Sequence, residues 1–121
     1  MIRAYFFTNG DRFQVKTCGH ACKAETKDFE KICAAASVME DILLEQLSAN
    51  RSFTTAHEED AKQGYFRLTA DLKKGRETDM FGILRAEVIF SAIMGAYLKL
   101  EATYPESVEV KVEITGGERD G

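Results

Sequence analysis

Residues 2–8 and 13–18 are rich in aromatic and β-branched side chains, and they flank Asn9-Gly10-Asp11-Arg12, where Asn-Gly supplies the positive φ angles of a tight turn. That pattern predicts an opening β-hairpin. After a polar stretch from Gly19 to Lys27, the apolar residues Phe29, Ile32, Ala36, Met39, Leu43 and Leu47 recur at spacings of three and four. This is the period of a helix, expected from about Asp28 to Ala49 with Asp28 as its N-cap. Ser52 to His57 and Tyr65 to Asp71 bracket a polar turn, Glu58 to Gly64, and predict a second hairpin. A second helix is expected from about Thr78 to Tyr104, because the residue before Pro105 is pushed out of the α region. Finally Val108, Val110, Val112 and Ile114 alternate with Glu109, Lys111 and Glu113, the period-2 pattern of a strand with one wet face.

The resulting order, ββαββαβ, lacks the regular βαβ alternation of a doubly wound fold. It predicts an α+β domain, a mainly antiparallel sheet with two long helices on one face. Residues 1–115 are expected to form that single domain, and 116–121 a flexible tail. The second helix carries two apolar stripes, one with Phe81, Leu84, Val88, Ala92, Gly95 and Leu98, the other with Ala86, Phe90, Ile93, Tyr97, Leu100 and Tyr104. One sheet covers only one stripe. The other must face the first helix, a second copy of the chain, or both, and a homodimer with helices at its interface is expected.

Composition narrows the classes. Of the 121 residues, 45% are hydrophobic, 30% are charged and one is proline, which excludes low-complexity and Pro-rich architectures. Lys plus Arg number 16 against 20 Asp plus Glu, a net charge of −4 with no basic run, so direct nucleic-acid binding is not expected. The longest nearly unbroken apolar stretch, Val88 to Leu98, has 11 residues, short of the roughly 18 of a membrane span. The N-terminus lacks the apolar region of a secretory signal, so the expected location is the cytoplasm, with no membrane partner. Three clustered cysteines, Cys18, Cys22 and Cys33, do not resemble a secreted disulfide framework, and reduced thiols are expected.

Chemistry centres on those thiols and on His20. Cys33 lies near the N-terminal end of the first helix, where unpaired amides and the helix dipole favour the thiolate, the nucleophilic form. His20 follows a glycine at the end of a strand entering the same loop, which allows it to serve Cys33 as base and then acid. On spacing alone the favoured reading of Cys33 is a small buried core residue. Cys18, His20 and Cys22 alternate, and Cys33 would complete a zinc set, but the second closely spaced cysteine pair of common structural sites is missing. No metal or cofactor is expected. His57, beside Glu58 and Glu59, reads as a solvated histidine. Cys18 and Cys22 read as spectators, or as a regulatory disulfide.

Gly19-His20-Ala21, a polar loop, then Ile32-Cys33-Ala34-Ala35-Ala36-Ser37 opening a long helix resembles the ribosomal-processing cysteine protease family, Prp. That family pairs a Gly-His-Ala strand end with an Asp-Ile-Val-Cys-Ala-Ala-x-Ser helix start, and the predicted element order agrees with it over nearly the whole chain. The resemblance implies a homodimeric cysteine endopeptidase whose substrate is a ribosomal protein precursor. Such an enzyme removes a short N-terminal extension from a large-subunit ribosomal protein, cutting after a pair of aromatic residues. It casts Cys33 as nucleophile and His20 as its base, with Gly19 fixing the backbone approach and Ser37 supporting the site one turn beyond Cys33. Glu30 stands where the family has Asp, keeping the charge with a longer reach, and the loop from Cys22 to Phe29 has no glycine. The alternatives are an altered family member acting as a ribosome-associated interaction protein, and a small zinc-binding module.

Overall fold

The computed structural model describes residues 1–75 and 79–116. Its elements are β1 (Ile2–Thr8), β2 (Arg12–Cys18), α1 (Phe29–Ser48), β3 (Phe53–Asp60), β4 (Tyr65–Leu72), α2 (Met80–Thr103) and β5 (Val108–Ile114), in the predicted order. They form one five-stranded sheet, β3-β4-β2-β1-β5, antiparallel except for the β1–β5 pair. The first hairpin closes through Asn9, whose side-chain oxygen accepts from the amides of Asp11 and Arg12 at 3.0 and 2.8 Å, with Gly10 at φ 91°.

Strand alternation sorts the side chains. Ile2, Ala4 and Phe6 of β1, Phe13, Val15 and Thr17 of β2, and Phe66, Leu68 and Ala70 of β4 are buried on one face. Onto it α1 lays Ile32, Ala36, Leu43 and Leu47, and α2 lays Ala86, Phe90, Ile93 and Tyr97. The centre is aromatic: Phe6 meets Phe90 edge-on at 5.7 Å and Tyr97 at 5.4 Å, and Phe13 bridges Phe90 and Phe53.

Only one apolar stripe of α2 is covered. Phe81, Leu84, Val88 and Leu98 remain exposed, Phe81 at 85% and Val88 at 67%. By length and composition alone the 24-residue helix, which contains an 18-residue window with a mean hydropathy of 1.5, is apolar enough to cross a membrane. Scattered charges at Arg85, Glu87 and Lys99 keep any single run short, and its inner stripe fills the sheet core.

Three local expectations are corrected. Asp28 occupies the N-cap position of α1, but its side chain makes no capping bond; its carboxylate accepts the Tyr104 hydroxyl at 2.9 Å, tying the start of α1 to the end of α2. Glu58 to Gly64 is not all turn. β3 continues to Asp60, with Glu58 opposite Arg67 and Glu59 opposite Phe66, and a single 3-10 turn, Ala61–Gln63, makes the connection. An edge strand with solvent on most of its length holds polar residues at no cost, which hides it from a hydrophobic pattern. On β5 the alternating apolar face is covered at Val108 and runs out into solvent at Val112 and Ile114. The expected start of the second helix at Thr78 and the tail beyond Gly116 lie outside the described residues.

Candidate functional site

One end of the sheet gathers the residues that the sequence marks. β1 begins there, β2 ends there, the first turns of α1 pass over it, and the β3–β4 connection closes its side. Gly19, His20, Cys33, Ser37 and Glu40 line a single cavity of about 110 Å³, walled also by Ile2, Thr17, Glu59 and Gly64.

Two glycines set the backbone. Gly19 has φ 94°, and a β-carbon there would lie 2.1 Å from the Met1 carbonyl oxygen. Only glycine fits both demands. Gly64, with φ 64°, ends the 3-10 turn, and a β-carbon on it would lie 2.3 Å from the Gly19 carbonyl oxygen and 2.9 Å from Cε1 of His20. The backbone at Gly64 is therefore the floor on which the imidazole rests.

His20 Nε2 lies 3.1 Å from the Lys62 carbonyl oxygen. A carbonyl only accepts, so Nε2 carries the proton in this bond, and in the neutral ring Nδ1 is the base. The α-amino group of Met1 donates to the His20 carbonyl at 2.7 Å, holding the residue from its other side. Cys33 is half-buried, and its thiol donates to the Ala21 carbonyl at 3.7 Å. Thiol and imidazole thus share one cavity, each held by a backbone carbonyl, with no hydrogen bond between them. Such contacts are often long or absent in a free enzyme and tighten around substrate.

Of the other residues singled out, Ser37 lines the cavity one helical turn from Cys33, and Glu30 sits exposed in the first turn of α1, outside the cavity lining. Cys18 and Cys22 are free and exposed. His57 is half exposed with Nε2 3.9 Å from Glu59. Among the described residues no three His, Cys, Asp or Glu side chains gather as metal ligands, so the four residues of the zinc reading do not converge.

Glu40, which belongs to neither motif, also lines the cavity. Its Oε2 accepts the hydroxyls of Thr17 at 2.5 Å and Tyr97 at 3.4 Å, joining β2 and α2 to α1 beside the cavity. Burial pushes the Glu40 carboxyl above its ordinary pKa, against the pull of those two hydroxyls, and the charge of Glu59 adds to the rise. Burial, with Glu40's charge behind it, also lifts Tyr97 well above the ordinary tyrosine range, so the phenol stays a neutral donor. The signal was present: Cys33, Ser37 and Glu40, spaced four and three, share one helical face.

No family model and no curated protein matches the sequence. Solved structures do match the fold. The crystal structure of SMU.848 from Streptococcus mutans is 24% identical, with a TM-score of 0.68 over 95% of this chain and 99% of that one. The essential ribosomal processing protease Prp from S. aureus, in complex with a covalently linked product peptide, is 18% identical with a TM-score of 0.67, covering 93% of this chain and 99% of that one. The same protease with a substrate peptide gives 16% identity and a TM-score of 0.64 over the same shares. In fold, then, this chain is similar along nearly its whole length to a ribosomal processing protease.

Proposed function

We propose that the protein is a cysteine endopeptidase of the ribosomal-processing type, with Cys33 as nucleophile and His20 as general base and acid. The observation that carries this reading is the convergence of a half-buried helix thiol and an imidazole on one cavity, in a fold shared with a protease that has been crystallised with a covalently linked product peptide. His20 Nδ1 removes the Sγ proton and the thiolate attacks the scissile carbonyl carbon. The tetrahedral intermediate collapses to a thioester as His20 returns the proton to the leaving amine. Water, deprotonated by the same imidazole, then releases the acid and restores the thiol. The substrate class implied by the motifs is the N-terminal extension of a large-subunit ribosomal protein precursor, cut after an aromatic pair in the cytoplasm.

Incubating such a precursor with wild type and with Cys33→Ala, then weighing both intact, tests the reading. Wild type is expected to remove the extension while the variant leaves it whole with its fold intact, since alanine is the best helix former. Cleavage by Cys33→Ala would eliminate Cys33 as nucleophile. A non-enzymatic interaction protein is the second reading, favoured by the carbonyl contacts that hold thiol and imidazole apart. Iodoacetamide separates the two: alkylation of Cys33 faster than of Cys18 and Cys22 near neutral pH supports the enzyme, and slower alkylation supports the interaction protein.

The reading includes a homodimer joined through the exposed stripe of α2. A self-complementary patch is what two-fold association requires, and Phe81, Leu84, Val88 and Leu98 lie along one exposed stripe of α2, with the small residues Ala92 and Gly95 between Val88 and Leu98. Val88→Glu places a charge in the middle of that row. Sedimentation velocity is expected to give a dimer for wild type and a monomer for the variant; equal sedimentation would remove α2 from any interface.

A further inference from the structure

Cys22 lies close to Cys33 in space, although the polar loop and the first turn of α1 separate them in sequence. The Cys33 thiol is 3.7 Å from the Ala21 carbonyl oxygen. That oxygen and the Cα of Cys22 belong to one planar trans peptide, which fixes them about 2.8 Å apart. Cys33 Sγ is therefore within about 6.5 Å of the Cys22 Cα. A disulfide spans about 4 Å from a Cα to the far sulfur, so even at that limit a loop movement of about 2–3 Å brings the two sulfurs together. Ala21 is buried and fixes the pivot, whereas Cys22 is exposed and one side chain holds its amide, Glu25 Oε1 at 3.0 Å. Cys18 is the wrong partner. It follows Thr17, which lines the thiol cavity, and strand alternation turns it to the opposite face of the sheet, among Arg3, Tyr5 and Lys16.

Resting on the thiol-protease reading for the reactivity of Cys33, we propose that Cys22 is a resolving cysteine, and that oxidation by a hydroperoxide joins it to Cys33 in a reversible disulfide that shuts off cleavage. With hydrogen peroxide, the Cys33 thiolate attacks one peroxide oxygen, the O–O bond breaks, and Cys33 becomes a sulfenic acid as hydroxide leaves. The Cys22 sulfur, giving up its proton, then attacks Cys33 Sγ; the S–O bond breaks, and the hydroxyl leaves with that proton as water. Two thiols are oxidised and one peroxide is reduced. The bond spares the nucleophile, because a sulfenic acid with no thiol to meet it goes on to the sulfinic acid, which ordinary thiols do not reverse. An exposed partner such as Cys22 keeps the disulfide open to reduction.

Hydrogen peroxide, quenched with catalase, tests the bond without requiring peptide turnover. Wild type, Cys22→Ser and Cys18→Ser would be oxidised near neutral pH, weighed intact, and digested with trypsin without reduction. Wild type and Cys18→Ser are expected to lose the mass of two hydrogen atoms and to yield the peptide of Cys22 linked to that of Cys33. Cys18 and Cys22 share a tryptic peptide, so the link in Cys18→Ser identifies Cys22 as the partner. Cys22→Ser is expected to gain two oxygen atoms at Cys33 instead. A link between Cys18 and Cys22, or sulfinic acid forming at Cys33 equally in wild type and Cys22→Ser, would overturn the proposal.

Cleavage of the precursor gives the second arm. Reduced Cys22→Ser is expected to cleave at the wild-type rate; peroxide should silence both proteins, and dithiothreitol should restore cleavage to wild type alone. Recovery of both would overturn the proposal. A Cys22–Cys33 bond in a protein whose reduced form cuts no peptide would defeat the protease reading while the disulfide stood. Cleavage by a wild type that forms no such bond would do the reverse.

Discussion

Gly64→Ala is expected to lower peptide cleavage about a hundredfold, although the glycine bears no reactive group and is far from Cys33 in sequence. The reason is the seat of His20. The added β-carbon would fall 2.3 Å from the Gly19 carbonyl oxygen and 2.9 Å from His20 Cε1, distances at which something must move. Gly19 is pinned by its own approach to Met1, so the imidazole and the turn carrying the Lys62 carbonyl must yield. A displacement near 1 Å at a catalytic group costs about 10²-fold. The left-handed backbone at φ 64° adds about 1–2 kcal/mol of instability for any residue with a β-carbon. Thermal unfolding should therefore show a modest loss, and kcat/KM and Cys33 alkylation a large one. A Gly64→Ala protein that cleaves at the wild-type rate would mean that His20 works from some other position.

Phe6→Ala is expected to have the largest effect on stability, about 3–5 kcal/mol. Phe6 is wholly buried at the centre of β1, between β2 and β5, with ring contacts to Phe90 and Tyr97. The cavity left behind would be ringed by groups fixed on the sheet and on α2, so little collapse can repair it. Against a total of about 5–15 kcal/mol for a domain, that loss removes much of the margin. The urea midpoint is the measurement, with Phe7→Ala on the opposite face of the same strand as reference. Phe7 is only half-buried, and its loss should cost far less. Similar midpoints for the two variants would contradict the assignment of the core face.

Much of this architecture is legible in residue order alone, because its signals are local. The Asn9-Gly10 turn, the threefold and fourfold spacing through α1, the alternation in β5 and the stop at Pro105 each need only a short window of chain. His20 and Cys33 were legible because the strand end and the helix start around them carry a motif. Glu40 was not, although it shares a helical face with both Cys33 and Ser37. What makes it part of the site is Thr17 on β2 and Tyr97 on α2, partners 23 and 57 residues away. Glu59 was hidden for another reason, since an edge strand exposed along most of its length reads as a turn. Gly64 was visible only as a turn residue; its contact with His20 depends on β4 pairing with β2, which no local pattern encodes.

The β1–β5 pair has a consequence for how the chain reaches this state. Ile2 lies opposite Val108 and Thr8 opposite Ile114, so the interior strand that opens the fold finds its parallel neighbour more than a hundred residues later. Contacts of such long separation are slow to form, and on the ribosome β1 must wait with one hydrogen-bonding edge open until β5 has been made. During that interval the edge, bearing Tyr5, Phe6 and Phe7, is a template for any other extended segment. Shortening the chain into β5 would make the interval permanent, turning a delay in synthesis into a tendency to aggregate.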